Sequence, residues 1–190
     1  WKAFDKSYWS HLAAGPLARG YAVAVPSYDL CPDVRISEIS TQIAAALTEV
    51  ANRTQGTIVL SGHSAGGHLV ARMTDPLLLG AEVRDRITRI VPISPVADLA
   101  PLLQTEMNDI LRLDEAEAAA ESPIKMTPPH GVDVTVWVGA AERPVFLEQA
   151  ENFARSWGAK HVVAEGKHHF DVIDPLSEPD SDLTKALLGS

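Results

Sequence analysis

Long apolar runs, cysteine and an excess of basic residues are what this sequence lacks. No apolar run approaches the roughly 20 residues of a membrane-spanning helix, so we expect no membrane partner. The 16 Lys and Arg residues are outnumbered by 25 Asp and Glu, and the resulting net charge of −9 disfavours nucleic acid as a partner. Cys31 is the only cysteine, which excludes an internal disulfide. With no basic and apolar leader in view, the sequence predicts a cytoplasmic protein.

What is present has the composition of a folded domain. Hydrophobic residues make up 46% and charged residues 22% of the 190 positions. That length suits a single domain over residues 1–190. Much of the acidity is local, at 114–117 and 178–182, and such runs are typical of solvated faces.

Short β-rich runs alternate with helical stretches along the chain. Strands are predicted at 21–25, 57–60, 90–93, 132–138 and 161–164, and helices at 36–52, 64–73, 114–121, 145–157 and 181–188. Strand runs that are apolar on both faces and alternate with helices indicate a mostly parallel sheet covered by helices on both faces.

One motif points to chemistry. The run Gly62-His63-Ser64-Ala65-Gly66 matches G-x-S-x-G and lies between a predicted strand and a predicted helix, as a nucleophile elbow requires. So tight a turn needs residues with almost no side chain two positions either side of the serine. Ser64 would then stand above the sheet, with the Ala65 N–H as an oxyanion-hole donor. The pattern predicts an α/β-hydrolase fold. His63 and His68 flank the serine, and we interpret both as packing or surface residues.

A serine nucleophile needs a base, which a carboxylate orients, and in this fold the acid precedes the base along the chain. Glu142 follows the strand at 132–138, and we predict that it is the acid, with a solvated loop residue as the alternative. His168 and His169 both follow the strand at 161–164, and spacing does not choose between them. Asp171 and Asp174 come after the histidines and are expected to be caps or solvent-facing charges.

Taken together, these segments resemble the arylformamidase (kynurenine formamidase) branch of the α/β-hydrolases, which is related to the hormone-sensitive-lipase-like esterases. The resemblance spans nearly the whole chain, and its most telling part is the combination of Glu142-Arg-Pro-x-Phe with His169-Phe. Its other segments are residues 1–7, 26–32, 62–67, 93–108, 111–114, 139–146 and 166–171.

The resemblance implies a base that directly precedes Phe, which selects His169, and an acid at Glu142. It also implies hydrolysis of N-formyl-kynurenine to kynurenine and formate, with simple aryl esters accepted as well. Relatives carry a His-Gly-Gly-aromatic-Trp loop that supplies further oxyanion-hole donors, and the chain begins at the tryptophan of that pattern. We therefore expect the first strands of the fold to lie outside these 190 residues, which would be about its C-terminal two-thirds.

Other roles are less specified. Candidate substrate contacts are Trp1, Tyr28, Met107 and Asn108, for which ordinary core or loop roles are the alternative. The histidines show no metal-ligand spacing, so we expect no metal and no cofactor. The partner we expect is a small molecule, and a homodimer is the only self-association we consider. The rival functions are a general carboxylesterase and a hydrolase-like binding protein with impaired catalysis.

Overall fold

A parallel sheet of four strands is the centre of the computed structural model, which describes residues 1–189. Its strands are β1 (Ile58–His63), β2 (Ile87–Ile93), β3 (Asp133–Gly139) and β4 (Lys160–Ala164). They lie side by side in the order β1-β2-β3-β4, and every neighbouring pair is parallel. In this register the last residues of all four strands meet at one edge of the sheet. The predicted parallel sheet is confirmed, together with its covering helices.

Helices make up most of the remaining chain. The α-helices are α1 (Lys6–Trp9), α2 (Ala14–Ala18), α3 (Ile36–Arg53), α4 (Ala65–Arg72), α5 (Ala81–Arg84), α6 (Asn108–Leu111), α7 (Glu115–Glu121), α8 (Pro144–Trp157) and α9 (Asp182–Leu188). Short 3-10 helices cover Ser10–Ala13, Ala100–Gln104, Pro123–Lys125 and Asp174–Ser177. None of the helices between residues 1 and 189 combines the length and hydrophobicity needed to cross a bilayer.

The two faces of the sheet are buried by different helices. Along β3, alternate side chains point to opposite faces, as the pleat requires. Val134, Val136 and Val138 pack against α8, whereas Trp137 packs on the side of α9. Strand β2 is likewise buried on both sides. This is why the strand runs are continuously apolar, and why the helices can hold the carboxyl ends of the strands in fixed positions.

The strand predicted at 21–25 is wrong. Residues 21–25 form no strand and are exposed, and no strand of residues 1–189 pairs with them. Alternation of valine and alanine favours an extended backbone, but a strand exists only when a neighbour accepts and donates its ladder hydrogen bonds. The other four strands and the five predicted helices are present, with ends shifted by a few residues.

The acidic run at 114–117 is only partly a solvated face. Asp114 caps α7 by accepting a hydrogen bond from the Glu117 N–H at 2.8 Å. Glu117 itself is buried, where it forms an ion pair with Arg35 and accepts hydrogen bonds from Ser37. A buried carboxylate is stable only when donors surround it, and α3 supplies them here.

A second buried ion pair joins α4, the helix that follows the elbow serine, to α7. Arg72 donates to both carboxylate oxygens of Glu121, at 3.1 and 3.2 Å, and Ser40 of α3 donates to the same carboxylate at 2.6 Å. Both charged side chains are almost fully buried. The pair therefore fixes the direction of α4 relative to its neighbours.

We predict that Arg72→Met lowers the free energy of unfolding by about 3–5 kcal/mol, because it leaves the Glu121 charge buried without its partner. Urea unfolding followed by circular dichroism measures the change. Arg155→Met is the matched control, since Arg155 pairs with Glu151 on an exposed surface of α8 and exposed pairs contribute little. Equal losses in the two variants would contradict the role assigned to Arg72.

Candidate active site

Ser64 stands in the sharp turn between β1 and α4. Its backbone has φ 54° and ψ −111°, a left-handed conformation that is rare for a residue with a Cβ. Such strain costs of the order of 1–3 kcal/mol and is concentrated at functional sites. The Ser64 N–H donates to the Ile93 carbonyl at 2.8 Å, so the end of β2 anchors the turn. The predicted strand–serine–helix elbow is therefore present.

The glycines around the serine do not all serve the same purpose. A Cβ on Gly62 would lie 2.3 Å from the Gly66 carbonyl oxygen, so the turn has no room for a side chain there. A Cβ on Gly67 would lie 3.0 Å from Pro95, which shows how closely α4 approaches the sheet. A Cβ on Gly66 would have no such neighbour within 4 Å. The space requirement predicted at position 66 is wrong, because the crowded atoms there belong to its backbone.

Ala65 is the first residue of α4. The first N–H groups of a helix have no acceptor within the helix. The Ala65 N–H therefore lies beside the serine as an available donor, at the end of the helix where the dipole is positive.

Glu142 lies three residues beyond β3, and its side chain is completely buried. Its Oε1 accepts hydrogen bonds from the Gly139 N–H at 2.9 Å and from the Ser94 hydroxyl at 2.5 Å. Its Oε2 lies 2.6 Å from Nδ1 of His169. Burial by itself raises the pKa of this carboxyl, but the hydrogen bonds from His169, Ser94 and Gly139 outweigh burial and hold the pKa below its ordinary value. Glu142 is thus ionised at neutral pH.

The loops after β3 and β4 are joined directly. The Ala140 N–H donates to the Ala164 carbonyl and the Ala141 N–H to the Lys167 carbonyl, both at 2.8 Å. A Cβ on Gly139 would lie 2.3 Å from the Lys167 oxygen, so glycine permits this close approach. Two segments that are 27 residues apart in sequence, at Glu142 and His169, are thereby held in contact.

Aromatic rings surround the imidazole of His169. The Phe146 ring stacks on it with centroids 4.0 Å apart, and the His63 ring lies 4.5 Å away on a tilted plane. Phe170 meets it edge-on at 5.4 Å. Because Nδ1 faces Glu142, Nε2 is the nitrogen left available, and among residues 1–189 it has no hydrogen-bond partner.

His168 and the two later aspartates have other surroundings. The His168 side chain is 57% exposed, against 18% for His169. Asp171 accepts a hydrogen bond from the His168 N–H at 2.6 Å, and Asp174 begins a 3-10 helix. The geometry therefore brings Glu142 together with His169 and not with His168.

His63 and His68 are both held neutral by burial. Burial and the neighbouring His169 lower the pKa of His63 to about 4. Burial lowers the pKa of His68 to about 3, and its Nε2 lies 2.8 Å from the Glu121 carbonyl. His68 is a packing residue on the buried face of α4, whereas the His63 ring contacts that of His169.

The four candidate substrate contacts lie in different surroundings. Trp1 is buried, with its ring edge-on to His68, and Tyr28 packs on the same apolar cluster. The amide of Asn108 is engaged by the Leu113 N–H and carbonyl at 2.8 and 3.1 Å. Met107 is partly exposed just before α6. Substrate contact by these residues stays a prediction.

Sequence reasoning missed Ser94 and the residues that face His169. No motif or spacing relates Ser94 to Glu142, which are 48 positions apart. Phe146 belonged to a family-like segment, but nothing in the sequence places its ring on an imidazole. Phe4, Tyr8 and Trp9 form an aromatic group near the site, and the ring centroids of Trp9 and His63 are 6.5 Å apart.

Comparison with known proteins identifies the family of the chain. A family model described as the alpha/beta hydrolase fold matches residues 7–173. A kynurenine formamidase from Drosophila melanogaster is 31% identical over 208 residues, which cover 98% of this chain and 68% of that protein. The chain therefore belongs to the α/β-hydrolase family, in its arylformamidase-like branch.

Two solved structures extend the comparison. A protein from Silicibacter sp. TM1040, provisionally assigned as a thioesterase, is 57% identical to this chain and has a TM-score of 0.97. The aligned region covers 98% of this chain and 71% of that protein's chain. Esterase B from Lactobacillus rhamnosis is 18% identical with a TM-score of 0.71, covering 97% of this chain and 68% of its own, and shows the shared fold alone. The chain is thus a hydrolase by family.

The lowered pKa values of His63 and His68 predict a loss of stability in weak acid. Between pH 6.5, the ordinary histidine pKa, and about pH 4, the unfolded chain binds protons that the folded chain refuses. The stability that these two neutral histidines contribute is therefore fully present above pH 6.5. Below that pH the free energy of unfolding falls, by up to about 1.4 kcal/mol per pH unit for each histidine.

Urea unfolding at several values between pH 4.5 and 7.5 measures this slope. His63→Gln should make the slope shallower by about one proton than in the unaltered protein. An identical slope in His63→Gln and the unaltered protein would exclude the assigned role of His63.

Proposed function

We propose that this chain is a serine hydrolase in which Ser64 is the nucleophile, His169 the general base and Glu142 the residue that orients the base. The observation that carries the proposal is the 2.6 Å contact between His169 Nδ1 and the ionised, buried Glu142. A carboxylate at that nitrogen selects the tautomer with the proton on Nδ1 and leaves Nε2 as a proton acceptor. The elbow places Ser64 next to His63, whose ring adjoins that of His169.

The reaction proceeds in two halves. The Ser64 oxygen bonds to the substrate carbonyl carbon while its proton passes to His169 Nε2, and the Ala65 N–H donates to the oxyanion that forms. The carbon–nitrogen or carbon–oxygen bond then breaks, and His169 returns the proton to the leaving amine or alcohol. Water then attacks the acyl-serine as it gives a proton to His169. The bond between the acyl carbon and the Ser64 oxygen breaks, the acid is released, and His169 returns the proton to the Ser64 oxygen.

An aryl formamide is the substrate class that we favour, with N-formyl-kynurenine as the specific compound. Three curated relatives that match over nearly the whole chain are kynurenine formamidases. Trp9 lies beside His63, and the exposed rings of Phe4 and Tyr8 pack on Trp9, so the three rings form an apolar, aromatic surface near the base. Such a surface suits a flat aryl leaving group, because aromatic rings pack favourably edge-to-face or offset-stacked.

Hydrolysis of a carboxylic ester or thioester is the second candidate. It is favoured by the 57% identical structure that is provisionally assigned as a thioesterase. The same residues would serve, since only the leaving atom changes from nitrogen to oxygen or sulfur. A formyl group and an acetyl group differ by one methyl, so the volume available at the acyl position decides between these substrates.

We predict that Ser64→Ala lowers kcat by about 10⁴-fold or more without loss of stability, because the nucleophile acts only in the chemical step. The measurement is kcat/KM for N-formyl-kynurenine, p-nitrophenyl acetate and acetyl-thiocholine, with unfolding temperatures for each variant. Ser61→Ala is the matched control, because the Ser61 hydroxyl donates to the Val91 carbonyl within the sheet.

Turnover that survives in Ser64→Ala would overturn the serine mechanism. If Ser64→Ala is inactive and the formamide has the highest kcat/KM, the arylformamidase proposal stands. A higher value for the oxygen ester or the thioester would replace it with the second candidate.

A further inference from the structure

Ser94 is a fully buried serine directly after β2, with no part in the apolar core clusters. Its hydroxyl donates to Glu142 Oε1 at 2.5 Å, and its N–H donates to the Trp137 carbonyl at 2.6 Å. Its φ is +45°, in the left-handed region that residues with a Cβ seldom occupy. Glycine would adopt this backbone with less strain. The strain thus coincides with a hydroxyl that contacts the buried acid.

The three donors to the Glu142 carboxylate come from different parts of the fold. Oε1 accepts a hydrogen bond from the backbone N–H of Gly139, the last residue of β3, and another from the side chain of Ser94, at the end of the neighbouring strand β2. Oε2 faces His169. With Oε1 held from two directions, rotation of the carboxylate is restricted, and Oε2 remains directed at the imidazole.

We propose that Ser94 is a positioning residue, which fixes the Glu142 carboxylate and moderates the strength with which Glu142 holds the proton on His169. This inference rests on the proposed roles of Ser64, Glu142 and His169. Ser94 is fully buried, so we expect it to act through the acid alone.

Ile93, the residue before Ser94, contacts the turn that carries the proposed nucleophile. The Ile93 carbonyl accepts the Ser64 N–H at 2.8 Å, so consecutive residues at the end of β2 contact the nucleophile and the acid. A displacement of this strand end would move both groups together. The segment at 93–94 therefore sets the separation between the elbow and the acid loop.

Loss of the Ser94 hydroxyl has a defined electrostatic consequence. The titratable side chains around Glu142 are His169, from the loop after β4, and His63, from the end of β1. When the carboxylate loses one donor, less of its negative charge is neutralised. It therefore stabilises a proton on the Glu142–His169 pair more strongly. The midpoint at which the pair takes up a proton should therefore move to higher pH.

The test compares Ser94→Ala and Ser94→Gly with Ser122→Ala. Both Ser94 variants lose the hydroxyl, but glycine also relieves the left-handed backbone, so it keeps the test valid if the alanine variant folds poorly. Ser122 is the matched control because it is equally buried and its hydroxyl makes two hydrogen bonds, to Leu99 and Ala118, that do not involve Glu142.

The primary measurement is an NMR titration of His169 in protein with isotope-labelled histidine, which needs no turnover. We expect a rise of about one pH unit in the midpoint for both Ser94 variants, the size expected for one hydrogen bond to a charged group. Ser122→Ala should keep the original midpoint. Steady-state kinetics with p-nitrophenyl acetate should show kcat lowered by about 10-fold to 100-fold with KM unchanged.

Midpoints unchanged in both Ser94 variants would overturn the inference, as would an equal shift in Ser122→Ala. A rise in KM with unchanged kcat would also overturn it, because that result assigns Ser94 to substrate binding. If Ser64→Ala retains turnover, the proposed hydrolase mechanism fails, whereas the titration still decides the role of Ser94.

Discussion

The buried charge of Glu142 is the constraint on which the rest of this site depends. A carboxylate removed from water must be surrounded by donors, or it takes up a proton instead. Three donors meet it here, from Gly139, Ser94 and His169. Each belongs to a different strand end or loop, so the hydrogen bonds to this one carboxylate hold three segments of the chain together.

Parallel strands make this convergence possible. The carboxyl ends of β1, β2, β3 and β4 lie at one edge of the sheet, and they are followed, in that order, by Ser64, Ser94, the loop of Glu142 and the loop of His169. Left-handed backbone occurs at Ser64 and Ser94, at two of these strand ends. The packed layers of α8 and α9 hold the strands that carry this strain. Stability in the core is thus what permits strained geometry at the edge.

Local signals predicted much of the fold and part of the site. The period of apolar residues predicted α3, and the glycine-flanked serine predicted the elbow, because both patterns arise from local chain geometry. The strand at 21–25 could not be judged in the same way, since pairing depends on segments remote in sequence. The burial of Glu117 and Glu121 escaped for the same reason: their partners Arg35 and Arg72 lie 82 and 49 residues away. The contact of Ser94 with Glu142 could not be predicted, because it depends on tertiary structure alone.

The central claim is that Ser64 is a nucleophile activated by the Glu142–His169 pair. The most direct measurement is reaction of the intact protein with a fluorophosphonate, followed by digestion and peptide mass spectrometry. The account predicts a single adduct on Ser64, formed rapidly at neutral pH and slowly when His169 is replaced by alanine. An adduct on another residue, or no reaction under conditions that label other serine hydrolases, would contradict it.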